Sequence, residues 1–239
     1  MLLIEGREYG CPTGDYALPG LVEDMEFRRC SVDMCQHPAR QRDPGDRPVV
    51  RGVRFIRCKV AASDLPPVIA EDCVIDTITF HRGIWGAQRI VGSAFRHVVI
   101  RGNVTGAVAF TPGPAFMGFR ADRDATTDPY VAANRRYYED VDWALDISEA
   151  RFTSVEFASG IPSSLIRRDP STQVVLRRSA VIDGRWEDQV DDPLARIWIE
   201  DLLRSGFDDT VLVAAKRGRR FAEVMAVIAK LRAVGLVEE

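Results

Sequence analysis

The side chains that could do chemistry are few and widely separated along this 239-residue sequence. His37, His81 and His97 are isolated from one another. His81 comes directly after the large apolar residue Phe80 and His97 two residues after Phe95, which places both at the surface or at corners. The sequence has no glycine-rich phosphate loop, zinc-protease helix motif or serine nucleophile elbow. Asp72 and Asp76 straddle one strand, so they do not converge like the carboxylates of a glycosidase. We therefore predict no catalytic residue, no metal site and no cofactor.

The cysteines are typical of a reduced protein. Five of them, an odd number without a Cys-x-x-Cys pair, indicate small core residues rather than a disulfide framework. Cys30 and Cys35 lack the second pair of ligands that a structural zinc site needs. Cys30 and Cys58 occupy matching positions in the similar segments FRRCSV and FIRCKV, where packing explains them better than redox chemistry.

The charge and the start of the sequence limit the classes of partner. A formal net charge of −3 is neither the basic balance of a nucleic-acid-binding protein nor the strongly acidic balance of a DNA mimic. The opening MLLIEGRE has too few apolar residues for a signal peptide or a membrane span. We expect a soluble, cytoplasmic protein that binds neither nucleic acid directly nor a membrane.

One segment, at about residues 111–144, has the composition of an interaction surface. Asp128 followed by Pro129 is a helix start, so a short helix is predicted over 129–139. Arginine and aromatic residues are enriched at binding hot spots. The alternative is that these side chains only hold the segment against the rest of the protein. The candidate partner-binding residues are Phe116, Phe119, Arg120, Arg123, Arg135, Arg136, Tyr137 and Tyr138.

A five-residue spacing of apolar side chains defines the elements that must position these residues. In a strand, residues two apart share a face, so a five-residue unit can bury one large and one small side chain and then turn a corner. Four such units make a coil of twenty residues, the step that separates Phe55 from Ile75. The positions at this spacing are Phe55, Val60, Leu65, Ala70, Ile75, Phe80, Trp85, Ile90, Phe95, Ile100, Thr105 and Phe110.

This spacing resembles the pentapeptide-repeat family, whose units carry a large apolar central residue and a small or apolar residue two positions earlier. The resemblance covers roughly residues 25–110 and 145–187. It implies an all-β fold, a right-handed quadrilateral parallel β-helix over residues 1–190, with the segment at about 111–144 inserted. The first expected column of stacked side chains is Phe27, Phe55, Ile75, Phe95, Phe152 and Leu176; the second is Val32, Val60, Phe80, Ile100, Phe157 and Val181.

Residues 191–239 change to a helical pattern. Asp192 and Pro193 mark a helix start that Gly206 can end, and a second helix is predicted to begin near Asp208. Residues 219–234 carry apolar positions at helical spacing. We expect this α-helical segment to cap the last coil. Formation of a homodimer through these helices is the alternative.

The expected function follows from a surface without a catalytic cluster. Within the resembled family, the better understood members bind DNA gyrase or topoisomerase IV by imitating duplex DNA, and some protect against toxins. Residues 53–110 carry seven Lys and Arg against four acids, which does not favour mimicry. We expect a non-enzymatic protein-binding scaffold that modulates or protects a protein target; the expected protein partner is a topoisomerase or a toxin. The alternatives are a DNA mimic that binds gyrase or topoisomerase, and a degenerate carbohydrate-active β-helix enzyme.

Overall fold

The computed structural model describes residues 1–9, 20–33, 43–61, 64–65, 67–81, 87–113, 128–158 and 160–238. Over these residues the chain is mixed α/β, with parallel strands first and most of the helical residues in the C-terminal third. Within the same ranges, no helix combines the length and the apolar character that crossing a bilayer requires. The α-helices are α1 (Pro129–Tyr138), α2 (Arg178–Val181), α3 (Pro193–Ser205) and α4 (Phe221–Ala233).

The strands of the described residues are mostly short. They are β1 (Leu2–Glu5), β2 (Glu8–Tyr9), β3 (Leu21–Glu23), β4 (Met25–Arg28), β5 (Ser31–Asp33), β6 (Val49–Arg51), β7 (Arg54–Ala61), β8 (Asp64–Leu65), β9 (Ile69–Glu71), β10 (Val74–His81), β11 (Gln88–Val91), β12 (Ala94–Arg96), β13 (Val98–Thr111), β14 (Leu145–Asp146), β15 (Ala150–Phe157), β16 (Ile166–Arg167), β17 (Gln173–Arg177), β18 (Asp209–Val213) and β19 (Val237–Glu238).

Three sheets organise these strands. A twelve-stranded sheet follows the order β1-β4-β7-β10-β13-β11-β8, with β2, β5, β14, β15 and β16 joined to that path by further parallel pairings. A four-stranded parallel sheet has the order β12-β9-β6-β3. Side chains of both sheets share one apolar core, in which Phe80 and Ile100 come from the large sheet and Ala70 and Phe95 from the small one. A three-stranded antiparallel sheet, β18-β17-β19, lies near the C-terminus.

The first strands of the large sheet stack in the register that the five-residue spacing predicts. Phe27 pairs with Phe55, and Phe55 pairs with Ile75. The rings of Phe27 and Phe55 are stacked, with centroids 5.2 Å apart. In the second predicted column, Val60 lies between Val32 and Phe80. The predicted stacking of Phe27, Phe55 and Ile75 and of Val32, Val60 and Phe80 is confirmed.

The all-β fold expected from the sequence is wrong, and so is the classification as a pentapeptide-repeat, right-handed parallel β-helix. The described chain is a mixed α/β protein with a large parallel sheet, four α-helices and an antiparallel sheet near its C-terminus. The expectation extended the regular spacing of the first strands to the whole of residues 1–190.

Irregular strand pairing and a change of sheet are the physical reasons why the spacing does not extend. Phe95 lies in the four-stranded sheet, opposite Ala70, so Ile75 pairs with Ile100, twenty-five residues away. The pairing of β10 with β13 then shifts between Asp76 and Ile78. A second shift, in β13 opposite β15, follows Val104. Leu176, placed by prediction in the first column, lies in the antiparallel sheet instead.

A row of tight turns joins the strands of the four-stranded sheet to those of the large sheet. Asp24, Gly52, Asp72 and His97 all have positive φ, between 53° and 62°. The backbone N–H group of each of these residues donates a hydrogen bond to a carbonyl of the neighbouring chain segment. For the first three, the acceptor is the residue just before the next turn of the row, and for His97 it is Trp143. The left-handed region is costly for residues other than glycine, so three non-glycine residues here hold strained backbone at one edge of the molecule. The accepting carbonyls belong to Arg51, Glu71, Arg96 and Trp143.

A second apolar core forms around the antiparallel sheet and helices α2 to α4. Leu176, Ile199, Ile228 and Leu231 are fully buried in it. It contacts the larger sheet through β18, where the Thr210 hydroxyl donates to the Phe157 carbonyl at 2.6 Å. The C-terminal part of the chain therefore brings its own core as well as a cover for β15.

Candidate binding surface

Helix α1 begins where the sequence predicts. The side chain of Asp128 accepts a hydrogen bond from the Tyr130 N–H at 2.8 Å, and Pro129 occupies the first turn. An Asp cap satisfies one of the free N–H groups at a helix start, and proline has no N–H there to satisfy. The predicted helix over 129–139 is confirmed as Pro129–Tyr138.

One face of α1 is bound to the four-stranded sheet by buried polar contacts. The Tyr138 hydroxyl accepts a hydrogen bond from the Phe95 N–H at 3.3 Å, and the Asn134 amide donates to the Ser93 carbonyl at 3.2 Å. Burial raises the pKa of Tyr138. Both side chains are almost completely buried, so this face of the helix is fixed in place.

A buried arginine completes this attachment. The guanidinium of Arg47 donates to the Gly92 carbonyl at 2.9 Å, to the Pro44 carbonyl at 2.8 Å and to the side-chain oxygen of Asn134. Burial lowers its pKa, and the ring of Tyr130 lies 5.8 Å from its guanidinium carbon. Sequence analysis did not identify Arg47, because nothing in the sequence distinguishes it from the other arginines of its Pro- and Asp-rich segment.

Gly92 is essential to the close packing of α1. Its φ is 58°, and a Cβ atom at this position would stand 2.8 Å from the ring of Tyr130. Any larger residue would push the helix start away from the sheet while also straining the backbone. The helix therefore lies close to the sheet along its whole length.

The opposite face of α1 carries two arginines. Arg135 and Arg136 are exposed, and among the described residues neither guanidinium has a hydrogen bond or an ion pair. Tyr137 lies between the two faces: it is half-buried, and its hydroxyl donates to a Glu71 carboxylate oxygen at 3.1 Å. Burial, followed by the nearby charge of Glu71, raises the pKa of Tyr137.

The structure thus separates the candidate partner-binding residues into three groups. Tyr137 and Tyr138 contact the four-stranded sheet, while Arg135 and Arg136 are exposed to solvent. The others lie outside the described residues, and they are Phe116, Phe119, Arg120 and Arg123.

Charges of alternating sign follow the edge of the four-stranded sheet next to α1. Glu23 pairs in register with Arg51, Arg51 with Glu71, and Glu71 with Arg96. The guanidinium of Arg51 donates twice to one carboxylate oxygen of Glu71, at 2.7 and 2.9 Å. The hydrogen bond to Glu71 raises the pKa of Arg51. This row is nearly self-neutralised, so it presents no continuous block of one sign.

His97 ends the row of tight turns, between two carboxylates. Its Nδ1 lies 3.1 Å from an oxygen of Asp72, and its Nε2 lies 2.6 Å from an oxygen of Asp142. The ring packs on Trp143 at 4.8 Å between centroids, and the Arg167 guanidinium covers Trp143 at 4.0 Å. The hydrogen bond to Asp142, supported by that to Asp72, raises the pKa of His97.

This arrangement favours a structural role for His97. Both ring nitrogens are occupied by carboxylates, which stabilises the charged imidazolium and leaves no ring nitrogen free to transfer a proton to a substrate. His81 is exposed, so the predicted positions of both histidines at the surface or at a corner are confirmed. Across the described ranges, no group of three or more His, Cys, Asp or Glu residues is arranged to hold a metal ion.

The described cysteines are free and buried. Cys58 donates to the Phe27 carbonyl at 3.3 Å, and Cys73 donates to the Val50 carbonyl at 3.3 Å. Burial raises the pKa of both thiols, which keeps them protonated and poorly nucleophilic. Cys30 is likewise a free, buried thiol, so the prediction of reduced core cysteines is confirmed for these three residues.

No family model, curated protein or solved structure matches this chain. The likeness to pentapeptide repeats therefore has only the five-residue spacing to support it. The contacts of the chain's own residues carry the functional argument.

Proposed function

We propose that the protein is a non-enzymatic binding protein that recognises a protein partner through the exposed face of α1. The observation that carries the proposal is the difference between the two faces of this helix. Buried polar contacts hold one face, whereas Arg135 and Arg136 on the other have no partner in the described structure. A helix of this kind presents its arginines in a fixed position without using them for folding.

An acidic segment of a folded protein is the partner that suits this surface. Arginine binds carboxylates through two parallel hydrogen bonds, and it is enriched among residues that dominate binding energy. Because α1 is already fixed by Tyr138 and Asn134, binding would order few additional groups. We place the protein in the class that modulates or protects its target, as immunity and resistance proteins do.

The second candidate is a DNA mimic that binds gyrase or topoisomerase. The charges along the sheet edge do not favour it; they belong to Glu23, Arg51, Glu71 and Arg96. Imitation of duplex DNA needs a continuous acidic face, whereas here each acid lies beside an arginine. A carbohydrate-active enzyme has less support, because the carboxylates of Asp72 and Asp142 are both bound by His97. A topoisomerase or a toxin is compatible with this surface as a protein partner.

We place the protein in the cytoplasm. Formation of a homodimer through the C-terminal helices is a second proposed interaction, compatible with recognition through α1. The buried free thiols of Cys30, Cys58 and Cys73 support a reducing compartment. On the C-terminal helices, Ile197 of α3 is 52% exposed, which is compatible with a contact there.

Affinity capture with matched variants tests the proposal. The wild-type protein, an Arg135→Ala/Arg136→Ala variant and an Arg151→Ala/Arg219→Ala control are immobilised, and the proteins retained from cell extract are quantified by mass spectrometry. Arg151 and Arg219 are also exposed and without a partner among the described residues, but they lie in β15 and before α4. We expect a protein that is retained by the wild type and the control and lost with the α1 variant. Equal retention by all three proteins would contradict recognition through α1.

A further inference from the structure

We propose that a groove on the outer face of the large sheet binds the phosphate group of a small molecule. Strands β4, β7 and β10 form it, on the side opposite the apolar core. It is open to solvent and has a volume of about 300 Å³, near the lower limit for small-ligand sites. The groove is lined by Arg28, Arg29, Ile56, Arg57, Asp76 and Thr77.

Positive charge is in excess around the groove. The carboxylate of Glu26 is shared between Arg28 and Arg54, and Glu5 lies 3.7 Å from Arg29 across exposed surface. Arg57 is exposed and has no ion pair or hydrogen bond to the described residues. The Nε atom of Arg28 is buried without a hydrogen-bond partner among the described residues. Two guanidinium groups of the groove thus have N–H donors that this part of the chain does not use.

Asp76, the one acid among the described residues that line the groove, is already neutralised. Arg101 donates to one carboxylate oxygen of Asp76 at 2.9 Å, and the Thr77 hydroxyl donates to the other at 3.1 Å. Asp76 would otherwise repel an anion. Because both of its carboxylate oxygens already accept hydrogen bonds, Asp76 does not pair with the groove arginines and leaves them available to a ligand.

Two of the arginines have a backbone conformation that is unfavourable for this residue type. Arg29 and Arg57 both have a φ of 53°, in the left-handed region that favours glycine. They lie in a row of corresponding turns that begins at Gly6, continues after Arg57 with Thr77, whose φ is 60°, and ends at Gly102. Because Arg28 pairs in register with Ile56, the two strained arginines are neighbours on adjacent strands.

These turns do not require arginine, since glycine and threonine adopt the same conformation elsewhere in the row. A left-handed backbone is unfavourable for arginine, and like charges on neighbouring strands repel each other. A phosphate dianion between the two guanidinium groups would remove the repulsion and accept paired hydrogen bonds from each. The groove is a separate site, and its assignment does not depend on recognition through α1.

Calorimetry with inorganic pyrophosphate as the probe tests the assignment on the full chain. Arg57→Gln removes the charge but keeps the side-chain length and the backbone strain, and it should weaken binding about tenfold; Arg29→Gln/Arg57→Gln should abolish it. Arg151→Gln, which changes an exposed arginine outside the groove, should leave the affinity unchanged. No binding by the wild type at about 1 mM pyrophosphate, or an equal loss in the control, would overturn the proposal.

Two further arms separate phosphate from other anions and binding from folding. Citrate should bind more weakly than pyrophosphate, and a short DNA duplex should not compete with it; tighter binding of either would mean that the site is not one for a small phosphate. Arg57→Gly should keep or raise the melting temperature while losing pyrophosphate binding, because it relieves the strain. A lower melting temperature would show that Arg57 serves the fold, which contradicts the argument from strain.

Discussion

At the scale of single residues, the Tyr138 hydroxyl connects α1 to the sheet. Tyr138→Phe should lower the free energy of unfolding by about 1–3 kcal/mol, because the N–H of Phe95 would remain buried without its acceptor. Tyr137→Phe is the matched control next to it. That change removes a donor from the partly solvated Glu71 and should cost less than about 1 kcal/mol. Urea unfolding measures the free energy of unfolding of both variants. Equal losses of stability would contradict the difference in burial between the two hydroxyl groups.

His97 gives the fold a predictable dependence on pH. Its pKa in the folded protein is raised above 6.5, so its contribution to stability is complete below the unfolded pKa and is lost as the pH rises through the folded pKa. The groups that face it are Asp72 and Asp142 at its ring nitrogens, with Trp143 and Arg167 stacked beyond. His97→Gln should flatten the melting temperature above about pH 6. If the melting temperature of this variant varied with pH as that of the wild type does, the ion pairs of His97 with Asp72 and Asp142 would be contradicted.

Asp142 contributes to the acid side of the same profile. The hydrogen bond from His97 lowers the pKa of Asp142 below 3.8, so its contribution is present above the unfolded pKa and is lost as the pH falls through the folded value. Asp142→Asn should therefore remove part of the acid sensitivity. It should also reduce the loss of stability that accompanies deprotonation of His97 as the pH rises, because the two side chains share one hydrogen bond.

At the scale of elements, helix starts were the best predicted features. The pairs Asp128-Pro129 and Asp192-Pro193 mark the observed starts of α1 and α3, and Gly206, with a φ of 75°, ends α3. Side-chain caps and proline act locally, so sequence alone identifies them. The helix predicted near Asp208 is wrong. The β-branched segment there forms β18, because β17 offers it an antiparallel partner.

Two neighbouring positions on α3 test the second core. Ile199 is fully buried and Ile197 is 52% exposed. Ile199→Asp should cost about 3–5 kcal/mol or prevent folding of the C-terminal part, because it places an unpaired carboxylate among apolar side chains. Ile197→Asp should remain within about 0.5 kcal/mol of the wild type. Circular dichroism and the fluorescence of the buried Trp186 follow both variants, and similar losses would contradict the orientation of α3.

At the scale of the whole molecule, sequence spacing predicted local strand neighbours but not the architecture. The step from Phe55 to Ile75 is correct because β7 and β10 pair without a shift over that part. Later shifts after Asp76 and Val104 depend on how long strands pack against distant partners, which a linear spacing does not contain. The fold class was therefore wrong even though the first pairings were right.

The candidate binding surface was partly predictable for the same reason. Arginine and aromatic content identified the segment that contains α1, and the Asp-Pro start identified the helix. Which of its residues face inward depends on Arg47 and Gly92, both distant in sequence. Only the structure therefore separates Tyr138, bound to the sheet, from Arg135 and Arg136.

Recognition through the exposed face of α1 is tested most directly by calorimetry with the captured partner and charge-reversed variants. We predict that Arg135→Glu/Arg136→Glu weakens binding by about a hundredfold or more, because two charge-assisted contacts become repulsive. The control Arg151→Glu/Arg219→Glu, with the same change in net charge, should stay within about threefold of the wild type. Circular dichroism should show both variants to be folded. Unchanged affinity in the folded α1 variant, or an equal loss in the control, would contradict the account.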